Sequence, residues 1–161
     1  MKHIISDDGG IDYDRYTRYL GTVQGHMPEH VFAFASDSRH FDLDSPTSLH
    51  DAWLESLSIC ESATGEGRSP RTTRIDIVLL GPQHDREILL RYENVARYRL
   101  SLENDGDRRF SPPSHGDLYT HEVRIEEDGM LVHELLFVDG GSMSITCRDL
   151  GHSERMRETS I

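Results

Sequence analysis

The dipeptide His-Glu occurs twice in residues 118–137, at His121-Glu122 and at His133-Glu134. Imidazole and carboxylate groups bind metal ions and exchange protons, so their repetition within a short segment is of chemical interest. Asp128-Gly129 lies between the two pairs and is typical of a β-hairpin turn. The spacing raises the hypothesis that one hairpin brings four such groups together.

The register of this hairpin decides whether the four groups meet. A loop of Glu127-Asp128-Gly129 gives both strands a common apolar face, whereas a two-residue loop does not. The chosen register pairs Ile125 with Leu131, Val123 with His133, His121 with Leu135, and Tyr119 with Phe137. It places the histidines on one face, as diagonal neighbours within reach, and the glutamates on the other.

A metal site at these histidines needs further ligands. A loop at residues 139–141 pairs Phe137 with Met143, Leu135 with Ile145 and His133 with Cys147, and His50 or Asp51 is a candidate fourth ligand. Zinc would accept such a set. However, His121 and Cys147 then lie on alternate strands, about 9–10 Å apart at the backbone. The sequence therefore predicts histidines bonded to backbone carbonyls or carboxylates, with no metal and no cofactor.

The other polar candidates also have ordinary explanations. Glu122 faces Glu134 in this register, which would suit acid/base chemistry, but Arg124 and Arg148 lie diagonally around Glu134 and predict a solvated charge lattice. The pair His50-Asp51 resembles an oriented base, yet no nucleophile motif accompanies it. We predict no catalytic residue.

The candidate ligand-binding residues are, on these grounds, His50, Asp51, His115, His121 and His133. His115 is included because it lies in a long connection, residues 104–116, that also carries Arg108, Arg109 and Phe110. Loops of this length often have a binding function. Whether this one binds a ligand or is only mobile stays open.

Helical periodicity precedes residue 54 and strand periodicity follows it. Tyr16, Tyr19, Leu20, Val23 and Met27 recur at helical spacing after a potential cap at Asp12 or Asp14, and a short helix is favoured at 28–36 over a strand. One helical turn is expected at 49–54. Seven segments then alternate with period two. Their apolar positions include Leu57, Ile75, Ile88, Ala96, Val123, Leu131 and Met143.

Short turns between these segments favour antiparallel neighbours, and a half-apolar sheet needs helices to cover it. The sequence predicts a single α+β domain. It has a helical part at 1–53, an antiparallel sheet of six or seven strands, twisted or partly rolled, at 54–150, and a short helix or frayed tail at 151–161. The N-terminal helices pack on one face of the sheet.

Composition restricts the partners. With a net charge of −12 over 161 residues, the chain lacks the basic face that nucleic acids require and would attract a basic protein. No apolar run is long enough for a membrane span, and two cysteines without CxxC spacing or an export signal indicate the cytoplasm. Oligomeric state stays open because edge strands could pair between chains.

Residues 48–150 resemble known bacterial proteins. The resemblance rests on the segments LHDAWLESLSI, RIDIVLLG and ILLRYENVARYRL and on a closing hairpin. They are similar to small bacterial proteins with a short "LHD" turn before antiparallel strands, and to some immunity proteins of polymorphic toxin systems. The resemblance implies a binding protein of the bacterial cytoplasm, with toxin neutralisation as one candidate function, and supplies no catalytic residue. We therefore expect a non-enzymatic, acidic protein-binding module. The alternatives are a small-molecule or metal-binding domain with its pocket between sheet and helices, and a hydrolase or isomerase using the same groups.

Overall fold

The computed structural model describes residues 1–63, 70–102 and 114–158. Within them lie two α-helices, a short 3-10 helix (Ser38–His40) and eight strands. The helices are α1 (Tyr13–Val23) and α2 (Glu29–Ser36), and the strands are β1 (Trp53–Ala63), β2 (Arg71–Leu80), β3 (Arg86–Glu93), β4 (Arg97–Ser101), β5 (Leu118–Ile125), β6 (Leu131–Phe137), β7 (Ser142–Cys147) and β8 (Asp149–Met156). The class is α+β, as predicted.

The strands form two antiparallel four-stranded sheets, in the orders β1-β2-β3-β8 and β4-β7-β6-β5. The prediction of one sheet with six or seven strands was therefore wrong in number. All seven predicted strands are present, and β8 is the addition. It pairs with β3 along eight residues, from Arg86↔Met156 to Glu93↔Asp149. The expected short helix or frayed tail after residue 150 was also wrong over this segment.

The two sheets are joined by a bent ribbon. The ladder β3–β8 continues as the ladder β4–β7, and at the junction residues 94–96 lie opposite only residues 147–148. Asn94 has a φ of 51°, in the left-handed region, at this bulge. Bulges bend a ribbon and let strands pass from one sheet to another. Residue alternation alone does not reveal such a bend, which explains why one sheet was predicted.

A second junction joins the start of β1 to the start of β5. Trp53 and Asp117 form an isolated antiparallel bridge, and Leu118 N–H donates to Ala52 O at 2.9 Å. Asp51 adopts a φ of 64° just before it. The expected helical turn at 49–54 was therefore wrong, because these residues turn into β1 and Trp53 already belongs to the strand.

Residues from both sheets and both helices bury one core. Strands β2 and β3 contribute alternate apolar side chains, α1 contributes Tyr16 and Leu20, and α2 contributes Val31, Phe34 and Ala35. The two helices predicted before residue 37 are confirmed, including the Asp12 cap, whose side chain accepts from Arg15 N–H at 2.8 Å. None of the helices within the described ranges is long and apolar enough to cross a membrane.

Candidate metal centre

The predicted hairpin register is confirmed over most of its length. Ile125 pairs with Leu131, Val123 with His133, and His121 with Leu135. The expected pairing of Tyr119 with Phe137 was wrong, because Leu118 takes that place and a register shift follows it. His121 Nδ1 lies 3.1 Å from His133 Nε2, so the two histidines meet as predicted.

The register of β7 differs from the prediction by two residues. Leu135 lies opposite Met143, His133 opposite Ile145, and Leu131 opposite Cys147. The turn is tighter than expected, with Phe137 N–H donating to Gly141 O at 2.8 Å and Gly140 at a φ of 85°. A shift of two residues keeps each side chain on its predicted face but moves Cys147 along the strand, away from His133.

A hydrogen-bonded chain of buried side chains begins at Tyr92. Its hydroxyl lies 2.8 Å from His133 Nδ1, and His133 Nε2 contacts His121. Burial holds the pKa of His133 down to about 3 and that of His121 well below its ordinary value, so both rings are neutral near pH 7. A neutral imidazole has one N–H. The arrangement with fewest unpaired groups has Tyr92 donating to His133 and His133 donating to His121.

The remaining predicted site residues lie apart from this pair. His50 Nδ1 lies 2.8 Å from Asp51 Oδ1, and the His50 ring neighbours Tyr119. The His115 ring lies 5.0 Å from that of Phe137. Among the described residues, no hydrogen bond or ring contact joins His50, Asp51 or His115 to His121 or His133. The five candidates therefore do not form one site. Residues 104–113 of the candidate loop lie outside the described residues.

Three residues that sequence reasoning did not select do converge. His40, His152 and Glu154 each place one potential metal-ligating atom within 4.8 Å of the others. His40 ends the 3-10 helix, whereas His152 and Glu154 lie two residues apart on β8 and share its inner face. The cluster thus lies between the 3-10 helix and strand β8 of the sheet β1-β2-β3-β8.

Backbone contacts fix His40 and its tautomer. Its ring Nδ1 lies 3.0 Å from Phe34 O, a carbonyl, so Nδ1 carries the proton and Nε2 keeps its lone pair. Its own carbonyl accepts from Leu49 N–H at 2.8 Å and from the Ser48 hydroxyl at 3.3 Å. Histidine ligands of metals are commonly held in this way, with the second nitrogen donating to a carbonyl.

Pairing with β3 fixes the other two side chains. His152 lies opposite Leu90, and Glu154 lies opposite Ile88. Arg86 binds Glu154 Oε2 at 3.1 Å, and Glu154 Oε1 lies 3.9 Å from His152 Nε2. His152 Nε2 is buried and has no hydrogen-bond partner among the described residues. An unpaired nitrogen therefore lies close to a carboxylate oxygen and to a second imidazole.

Electrostatics keep the two imidazoles ready to bind a cation. Burial lowers the pKa of His152 to about 4, and burial likewise lowers the pKa of His40, so both are neutral near pH 7. Asp37 Oδ2 lies 4.0 Å from His40 Nε2 and adds negative charge. Arg39 opposes it in part, because its guanidinium binds the same Asp37 carboxylate at 2.6 Å.

Phe34 connects this cluster to the buried histidine pair. Its ring centroid lies 4.8 Å from those of His40 and His152, 5.5 Å from that of His121 and 5.8 Å from that of His133. The four histidines therefore surround one aromatic ring of α2. Packing against neutral imidazoles gives the helix a polar but largely buried contact surface.

The glutamates on the opposite face differ from the predicted solvated lattice. Glu122 is fully buried and accepts from the backbone N–H groups of Lys2, His3 and Ile4 at 2.7–3.2 Å. Burial raises the pKa of Glu122, but these three donors outweigh it and the net pKa is lowered. Arg124 contacts both Glu122 and Glu134, as its diagonal position indicated. Glu122 is thus a structural carboxylate.

Comparison with known proteins found no family model that matches the chain, and neither a characterised protein nor a solved structure similar to it. Function is therefore inferred from the geometry alone.

Proposed function

We propose that the protein binds a divalent transition metal, with zinc as the reference ion, through His40, His152 and Glu154. This is the metal-binding form of the predicted alternative, a site between sheet and helices. It departs from the prediction of no metal, which considered only the histidines of the hairpin. The observation that carries the proposal is the buried, unpaired His152 nitrogen beside Glu154 and His40.

The donor set suits this class of ion. Two imidazoles and one carboxylate are the protein ligands of several zinc sites, and the same set binds ferrous iron. Ligands about 2.1 Å from a tetrahedral ion lie roughly 3.4 Å from each other. Ligand atoms that now span up to 4.8 Å must therefore approach each other. Rotation of Glu154, whose side chain lies at the solvent boundary, supplies part of this movement.

The orienting contacts support the same assignment. Phe34 O holds one nitrogen of His40, and Arg86 holds one oxygen of Glu154, so each ligand presents its other atom to the site. Such supporting contacts typically change metal affinity 10–100-fold when they are removed. Neutral histidines also bind metal without first losing a proton.

Zinc titration of untagged protein tests the proposal. We expect calorimetry to give one zinc per chain. At a free zinc concentration a hundred times Kd, the free energy of unfolding should rise by about 2.7 kcal/mol. His152→Gln and Glu154→Gln should each weaken binding at least about tenfold, because each removes one of three ligands.

His26→Ala is the matched control, because His26 is exposed and lies outside the cluster. It should bind zinc as the unmodified protein does. Circular dichroism establishes that each variant is folded before titration. Equal zinc affinity in folded His152→Gln and unmodified protein would overturn the proposal.

The prediction of a non-enzymatic protein-binding module with a basic partner stays untested. Five acidic residues at turn ends could contact such a partner: Asp105, Asp107, Glu126, Glu127 and Asp128. Asp105 and Asp107 lie outside the described residues, and Glu126 contacts Arg97 at 3.4 Å. Glu127 and Asp128 are exposed. Two exposed carboxylates on a turn, of which Asp128 already accepts from Met130 N–H at 3.0 Å, are a weaker argument than the converging ligands, so metal binding is preferred.

A further inference from the structure

In the described part of the chain, helices contact two of the four edge strands. On the β5 edge, the Tyr16 hydroxyl accepts from Val123 N–H and donates to Val123 O, both at 2.9 Å, and the Tyr19 hydroxyl accepts from Ile125 N–H. On the β8 edge, α2 packs against the strand, and His30 contacts Asp149 at 2.6 Å. The tyrosine hydroxyls occupy backbone groups of β5 that would otherwise pair with another chain, whereas α2 contacts β8 through side chains.

A third edge is short and charged. Strand β4 has five residues, including Arg97 and Arg99, and both arginines are exposed. Short edges that carry positive side chains resist pairing with a second strand.

The fourth edge, β1, has no such contact from any described residue along most of its length. The strand has 11 residues and is exposed from Ser58 to Ala63. Its bridge to Asp117 involves only Trp53, and its one irregularity lies between Leu54 and Ser56. From Leu57 onward it contains no proline, lysine, arginine or bulge. The inner-face residue Ile59 is 39% exposed.

We propose that two copies of the chain pair through β1, antiparallel, with the two-fold axis at Ser58. This register places Leu57 opposite Ile59 of the second copy. By symmetry, Ile59 lies opposite Leu57 of the second copy. Both residues lie on the inner face, as their pairing with Ile77 and Ile75 shows. Pairing buries the exposed surfaces of Leu57 and Ile59. It also gives partners to the outward backbone groups of β1, which is an edge strand among the described residues.

Neighbouring registers fit less well. An axis at Ile59 places Leu57 opposite Glu61, and an axis at Leu57 places Ile59 opposite Glu55. With the axis at Ser58 the two glutamates approach each other, but each is already paired within its own chain. Glu61 lies 3.5 Å from Arg71, and Glu55 contacts Arg157. A symmetric pair is also closed, so it does not propagate into a fibre.

Disulfide trapping tests the register directly. With the axis at Ser58, position 56 lies opposite Cys60 of the second copy, at a Cα separation of about 4.5–5.5 Å that a disulfide can span. Ser56→Cys should therefore form a covalent dimer on mild oxidation in EDTA. In the unmodified protein the two Cys60 residues would lie four positions apart, about 13 Å, and should not cross-link.

Ser62→Cys is the matched control, since it adds an exposed thiol to the same face of the same strand but opposite Leu54. It should stay uncross-linked.

Light scattering in EDTA measures the dimer directly. The unmodified protein should have twice the chain mass. Ile59→Lys should have the mass of one chain, while Ser62→Lys should keep the mass of two. A monomer at every concentration, cross-linking of Ser62→Cys equal to that of Ser56→Cys, or open-ended growth with concentration would overturn the proposal.

Discussion

At the scale of single residues, two carboxylates that face the same way have different environments. Glu122 is fully buried among backbone donors, whereas Glu134 retains solvent contact and shares Arg124 with it. A buried charge is tolerated only where its hydrogen bonds are made. Glu122 therefore attaches residues 2–4 to β5, a structural function that a charge pattern in the sequence does not show.

Replacing Glu122 by Ala should destabilise the fold by about 3–5 kcal/mol, because three backbone N–H groups and Arg124 lose a buried partner. Urea unfolding at pH 7 measures this change. Glu127→Ala, at an exposed position of the following turn, should stay within about 0.5 kcal/mol. Equal stability of the two variants would show that the buried carboxylate contributes nothing.

Sequence reasoning succeeded for residues joined by local pairing and failed for those joined at long range. The contact of His121 with His133 followed from the apolar faces of one hairpin. His40 and His152 are 112 positions apart in the chain, and they meet only because β8 pairs with β3 beneath the helical segment. The sequence signal for β8 was the alternation of Leu150, His152 and Glu154 on one face of a strand. Only Leu150 is strongly apolar, so this alternation was too weak to predict the strand.

At the scale of elements, the bulge between β3 and β4 determines the architecture. It turns one long ribbon, in which β3–β4 pairs with β7–β8, into parts of two sheets. The sequence predicted all seven alternating segments correctly as strands. It did not predict that they divide between two sheets. Side-chain alternation fixes which face a residue occupies and carries no information on where a ribbon bends.

Asn94 provides a test of this bend, because its φ of 51° is favourable for glycine and asparagine and costly for a β-branched side chain. Asn94→Val should destabilise the protein by about 1–2 kcal/mol, while Asn94→Gly should remain close to the unmodified protein. Thermal melting compares the two. Equal melting temperatures for valine and glycine would contradict a left-handed residue at this position.

At the scale of the whole molecule, the histidines in the core make stability depend on pH. Burial lowers the pKa of His133 from an ordinary 6.5 to about 3, and burial also lowers that of His121. Well above pH 6.5 these two histidines are neutral in both the folded and the unfolded chain, so they do not make the free energy of unfolding depend on pH there. As pH falls from 6.5 toward 3, the unfolded chain binds protons that the folded chain refuses, so stability is lost across this window.

His133 should contribute a slope of about 1.4 kcal/mol per pH unit within that window. His133→Gln should therefore reduce the acid slope of the unfolding free energy by about that amount, measured by urea unfolding in EDTA at a series of pH values. Glutamine can still bond to both Tyr92 and His121. Parallel slopes for the variant and the unmodified protein would mean that His133 is not buried as a neutral group.

The measurement that tests metal binding most directly is anomalous diffraction at the zinc edge, on crystals of untagged, zinc-loaded protein. We expect one strong peak about 2.0–2.2 Å from a ring nitrogen of His40, a ring nitrogen of His152 and an oxygen of Glu154. Zinc only at exposed histidines such as His26, with no peak between the 3-10 helix and β8, would contradict the proposed function.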